Sequence, residues 1–171
     1  MADNGASVRS ASVRPRPALY SAEQRARRDA TIWTLVQGVL APLQFLIFAV
    51  SLVLVIRYLQ TGQGYALATG SIVLKTLVLY TIMVTGAIWE KVVFGRYLFA
   101  PAFFWEDAVS MIVIFLHSLY LWSLMAGWSA EAQIWIALAA YATYVVNAAQ
   151  FLWKLRQARL SDPGPSEGLA A

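Results

Sequence analysis

The chain has no cysteine, which removes disulfides, thiolate-ligated metals, iron–sulfur clusters and cysteine nucleophiles together. Charge is scarce as well. Only 13% of the 171 residues are charged, against 60% hydrophobic residues and a mean hydropathy of +0.60, a balance outside the range of soluble domains. The class is an integral membrane protein. The charges present are segregated: Arg9, Arg14, Arg16, Arg25, Arg27 and Arg28 all precede the first long apolar run. The pI near 9.6 therefore reflects orientation in a membrane, and no nucleic-acid partner is expected. That first run is too long for a signal-peptide core and lacks a small-residue cleavage pattern, so it is expected to persist in the mature chain.

Residues 1–18, rich in Ser, Ala, Arg and Pro, read as a disordered tail, as do residues 161–171 with their Pro and Gly. Between them, residues 19–160 form the membrane domain. Ser21 followed by Gln24 resembles a capping box for a short headgroup-level helix over 23–28, a solvated charged turn being the other reading. Four apolar stretches follow, near 34–58, 65–89, 107–127 and 132–153, each close to the roughly 20 residues that cross a bilayer core. The fold class is all-α, a polytopic bundle of four transmembrane helices, with short links at 59–64 and 128–131 making successive helices antiparallel neighbours. The connection 90–106 is longer and carries Phe94, Tyr97, Phe99, Phe103, Phe104 and Trp105 around Pro101. These rings read as a headgroup aromatic belt or as a slot for a flat apolar ligand. The N-terminal tail, this connection and the C-terminal tail hold eleven of the thirteen Lys and Arg, whereas the opposite side has only Arg57. Both termini are therefore expected in the cytoplasm, with the chain multi-pass in an inner membrane.

Ionisable groups inside the spans ask for a partner or a function. Lys75 lies roughly 14 Å into its span by helix rise, and His117, the one histidine, falls near the same depth. Each reads either as a buried group bonded across helices or as a functional one, His117 as a magnesium ligand or an acid–base group. At the cytoplasmic edge Glu90 ends the second span, and Glu106 and Asp107 open the third. Carboxylates crowded beside Lys91 and Arg96 suit acid–base work, although acidic residues at a helix N-terminus are also favoured by the dipole. Glu106 and His117 share a helix face but lie about 16 Å apart along it, too far to act on one atom. Gln37 and Gln44 on the first span, and Asn147, Gln150 and Lys154 on the fourth, form polar stripes of the kind that join helices.

Several longer segments then stand out: Leu19-Tyr20 with Glu23-Gln24-Arg25-Ala26-Arg27-Arg28-Asp29-Ala30, Val36-Gln37-Gly38-Val39-Leu40-Ala41-Pro42-Leu43-Gln44-Phe45, Tyr80 through Gly95 with its Trp89-Glu90-Lys91 centre, and Leu98-Phe99-Ala100-Pro101-Ala102-Phe103-Phe104-Trp105-Glu106-Asp107. Across roughly 19–160 the chain resembles the 3-vinyl bacteriochlorophyllide hydratases, called 2-vinyl in older ring numbering. The resemblance implies hydration of the ring-A vinyl group of a chlorophyllide or bacteriochlorophyllide to a 1-hydroxyethyl group in bacteriochlorophyll a synthesis. It implies no cofactor and no resident metal. The expected partners are the pigment substrate and membrane lipid, with neighbouring pigment-biosynthesis enzymes as candidates for hand-over.

Such a reaction protonates the terminal vinyl carbon and lets water attack the inner one, so it needs an acid, a base and a slot limiting bulk solvent. By position the expected catalytic groups are Glu106, Glu90 and Asp107, with His117 as the second choice. Lys91 and Arg96 are expected to pair the substrate's propionate while Phe103, Phe104 and Trp105 pack on its ring. A deeper pose would instead bring the vinyl edge to the Lys75 and His117 layer. A non-catalytic tetrapyrrole carrier is the alternative from a binding class. A small transporter using Lys75 and His117 as a relay is the other, and the lack of an inverted repeat weighs against it.

Overall fold

The computed structural model describes residues 19–161; of the terminal stretches expected to be disordered, 1–18 and 162–171 lie outside the described residues, and Ser161 closes the last helix. Among the described residues the chain is all helical: α1 (Ala22–Ala30), α2 (Ile32–Thr61), α3 (Tyr65–Phe94), α4 (Phe104–Met125) and α5 (Ala130–Ser161). Helix α1 opens on the capping box expected from the sequence, the Ser21 side chain accepting from the Gln24 amide while the Gln24 side chain accepts from the Ser21 amide. It ends at Thr31, whose extended backbone breaks the helix and whose hydroxyl caps α2. Outside the spans, the Arg28 guanidinium bonds Asp29 and holds that carboxyl below its usual range.

Helices α2, α3, α4 and α5 are each long and apolar enough to cross a membrane, and the chain is a membrane protein. Its outer surface is dense with aliphatic side chains such as Leu35, Leu46, Val53 and Leu74, which only a hydrocarbon solvent accommodates at low cost. Tight links set the hairpins. Gly62 and Gly64 both take left-handed backbone between α2 and α3, at φ 68° and 85°, where a side chain would be strained. Contacts from Trp89 Nε1 to Thr34 Oγ1 at one end to the Tyr58–Tyr65 ring pair at the other fix the α2–α3 register.

The helices overrun the apolar stretches that announce them. A 30-residue helix spans about 45 Å, more than the roughly 30 Å hydrocarbon core, so the final turns enter the headgroup level. Helix α3 continues through Glu90 and Lys91 to Phe94, because polar side chains do not stop a helix at an interface whereas the left-handed Gly95 does. Helix α4 begins at Phe104. The long connection between the hairpins thus contracts to residues 95–103, and Phe94, Phe104 and Trp105 are helical.

The interior divides into two apolar clusters. The larger runs between all four spans and includes Phe48, Val55, Ile72, Leu79, Val113, Tyr120 and Tyr141. The smaller lies at the crossover end, where Tyr20, Val93, Phe103 and Ala158 pack with Trp89 and Phe94. Headgroup helix α1 is thereby tied to the bundle through Tyr20, whose ring stacks on Phe94 with centroids 5.8 Å apart.

Candidate functional site

Two polar layers lie inside the bundle, separated along its axis. The first is at the crossover end. Glu90 on the last turn of α3, and Glu106 and Asp107 on the first turn of α4, are all buried. The crossover folds back over two of them: the Ala100 amide donates to Glu90 Oε2 at 3.2 Å, and the Phe99 amide donates to Asp107 Oδ2 at 2.7 Å. Phe99 reaches this position with φ 59°, a left-handed backbone uncommon for a bulky residue. The Glu90 and Asp107 carboxyls are close enough to act on each other electrostatically.

Glu106 is held differently. Its Oε1 faces Lys154 Nζ of α5 at 3.4 Å, while its buried Oε2 has no hydrogen-bond partner among the described residues. Its backbone carbonyl accepts from the Ser110 hydroxyl one turn on at 2.8 Å and from Asn147 Nδ2 of α5 at 2.9 Å. The Asn147 amide oxygen in turn accepts from Ser110 at 3.2 Å. The α4–α5 hairpin is thus pinned beside the carboxyls by a small polar network.

The rings of the crossover split into two sets. Phe103 is buried, stacked on Phe151 and edge-on to Trp89 and Phe94. Phe104 and Trp105 point outward, 45% and 71% exposed, at the edge of the same layer. Lys91 donates to the Gly95 carbonyl at 3.0 Å and lies over the Tyr97 ring, and Arg96 is exposed. The structure therefore gathers Glu90, Glu106 and Asp107 with Phe103 at one end, and leaves Lys91, Arg96, Phe104 and Trp105 on its rim.

The second layer is deeper. Lys75 and His117, both fully buried, bond directly across α3 and α4, Nζ to Nε2 at 2.8 Å. His117 Nδ1 lies 2.8 Å from the Val113 carbonyl, which can only accept, so Nδ1 carries the hydrogen and Nε2 accepts from the amine. Both ring nitrogens are engaged. The amine sits 4.0 Å from the Tyr144 ring centroid, with Tyr141 and Phe48 completing the cage. Among the described residues no hydrogen bond or ion pair joins Lys75 or His117 to the three carboxyls. The sequence marks Asn147 and Lys154 as part of a helix-joining polar stripe but does not give their partners, and the crossover amides carry no side-chain signal.

No solved structure matches this chain. Sequence relatives do. The 2-vinyl bacteriochlorophyllide hydratase of Rhodobacter capsulatus is 70% identical over 153 residues, covering 90% of each chain. The protein of the same name from Cereibacter sphaeroides is 72% identical over 146 residues, covering 85% of this chain and 91% of its own. With the family model of these enzymes matching residues 20–157, which takes in every helix that carries the two polar layers, the chain belongs to the 2-vinyl bacteriochlorophyllide hydratase family.

Proposed function

We propose that the carboxyl layer at the crossover end is where this chain, a hydratase of bacteriochlorophyll biosynthesis, adds water to the vinyl group of its bacteriochlorophyllide substrate. The observation that carries the assignment is the burial of Glu90, Glu106 and Asp107 in one layer, with Glu106 Oε2 unpartnered among the described residues. Three carboxyls taken out of water at a membrane interface are costly, and neighbouring carboxyls that resist ionising together are the arrangement that supplies an acid and a base.

The reaction consumes one water and changes no oxidation state overall. A carboxyl proton goes to the terminal vinyl carbon as the π bond breaks. The inner carbon becomes a cation that the macrocycle delocalises, water oxygen bonds to it, and a carboxylate takes the water's spare proton; passage of that proton back to the donor carboxyl resets the acid–base set. Glu106 acts as the base toward water through Oε2, and the Glu90–Asp107 pair supplies the proton. The crossover amides fix the orientation of that pair, and Lys154 holds the other oxygen of Glu106. Lys91 and Arg96 on the rim receive the substrate's propionate from the inner-leaflet side, with Phe104 and Trp105 as the apolar edge against which the ring slides. On this reading both termini face the cytoplasm across an inner membrane, which the excess of Lys and Arg at the crossover end supports.

The test is turnover of the 3-vinyl substrate by purified protein in detergent or nanodiscs. Glu106→Gln is expected to lower turnover by about 10²-fold or more, the usual scale of one acid–base group, while pigment binding followed by absorbance persists. Wild-type turnover in that variant removes Glu106 from the mechanism. Pigment bound by the wild-type chain without any hydroxyethyl product rejects catalysis and leaves a carrier.

A further inference from the structure

Gln44 is the one side-chain amide among the described residues whose nitrogen and oxygen are both buried and both unpartnered. It is 2% exposed on the inward stripe of α2 that continues through Phe48, Ser51 and Val55. Buried amides nearly always bond something, and in a bilayer no bulk water offers relief. An amide left unpaired at both ends calls for a ligand that donates and accepts at once.

Its position says which. On α2, Gln44 lies one turn before Phe48, and Phe48 packs on Tyr144 of α5 with centroids 4.8 Å apart. Asn147 lies one turn beyond Tyr144, and α5 runs opposite to α2, so Gln44 and Asn147 fall on the same side of that ring pair. Asn147 bonds the Glu106 carbonyl at 2.9 Å. Gln44 is thus placed on the carboxyl-layer side of the aromatic cage, the side on which Asn147 bonds the Glu106 backbone. Glu106 Oε2, toward which that side of the bundle leads, is likewise buried and unpartnered among the described residues.

We infer that Gln44 holds the oxygen atom that is added in the reaction: Nε2 donates to it and Oε1 accepts from it, first as the attacking water and then as the new hydroxyl of the product. A vinyl group offers neither hydrogen-bond function, so the amide meets the water before reaction and the hydroxyl after it. This inference rests on the carboxyl-layer reading, because Glu106 Oε2 is the group that takes the water's proton.

The variant that tests it is Gln44→Met, similar in volume and apolar, compared with Gln44→Leu. Because no group among the described residues bonds this amide, an apolar replacement is expected to leave thermal stability in detergent unchanged or raised. Turnover is expected to fall at least tenfold. The diagnostic readout is affinity for the two pigments measured separately: the 3-(1-hydroxyethyl) product is expected to lose about tenfold while the 3-vinyl compound is held as before, since only the former carries the hydroxyl. An equal loss of both, no loss of either, or unfolding of both variants overturns the inference, the last by showing that the amide is structural. Glu106→Gln measured beside them separates the two readings. Normal turnover there with the selective loss in Gln44→Met sinks the carboxyl assignment alone; the converse sinks Gln44 alone.

Discussion

An amine carried into the middle of a bilayer costs roughly 2.5–3.5 kcal/mol on insertion scales, and Lys75 offsets that cost with one ring nitrogen and three aromatic faces. The pair ties α3 to α4, which otherwise meet over little of their length. His117→Ala removes the acceptor and leaves the amine facing a cavity. Its expected effect is a loss of stability on the order of 2–3 kcal/mol, read as an earlier melting transition in detergent, and Lys75→Met in the same chain is expected to restore part of it. Equal melting of His117→Ala and wild type would show that the bond contributes nothing. With both imidazole nitrogens already bonded, magnesium ligation by His117 would require that pair to part, so the first consequence of the substitution is structural. The sequence placed Lys75 and His117 at one depth by counting residues from the span edges; that they bond each other depends on how α3 and α4 are rotated, which counting does not give.

At the scale of elements the crossover between the hairpins decides the most. Its residues 95–103 return two backbone amides to two carboxylates, and the left-handed Phe99 is what turns the chain to do so. Phe99→Pro both deletes the donor to Asp107 and forbids φ 59°. It is expected to lower turnover by about tenfold or more through misplacement of the Asp107 carboxyl, measured as kcat at saturating substrate; unchanged kcat would show that the clamp has no bearing on the reaction. The aromatic content of this segment was plain from composition. Its backbone hydrogen bonds were not, because an amide N–H is common to nearly every residue and leaves no mark in the sequence. The same holds for helix ends: the apolar stretches located each span, but α3 runs past Glu90 and Lys91 to its Gly95 cap, since the helix needs a left-handed cap more than it needs apolar side chains at the headgroup level.

For the whole molecule the governing quantity is the partition between lipid and interior. With no cysteine in the chain, single-cysteine probes report topology without background. Gln63→Cys, in the α2–α3 turn, is expected to react with an impermeant maleimide added to intact cells, and Arg159→Cys, near the end of α5, only after the membrane is opened. The reverse pattern would invert the topology and put the carboxyl layer on the opposite side from the one proposed here.

The sequence by itself determined the solvent of this protein, its four crossings and the family to which the chain belongs, because hydropathy, helical spacing and long shared segments are properties of order along the chain. Only the tertiary structure decided which polar groups satisfy one another: Lys75 with His117, Asn147 with the Glu106 carbonyl, the crossover amides with Glu90 and Asp107, and nothing among the described residues with the Gln44 amide. Periodicity fixes the face and depth of a side chain on its own helix. Partnership requires the rotation and tilt of the neighbouring helices, and those are set by the packing of all four spans at once.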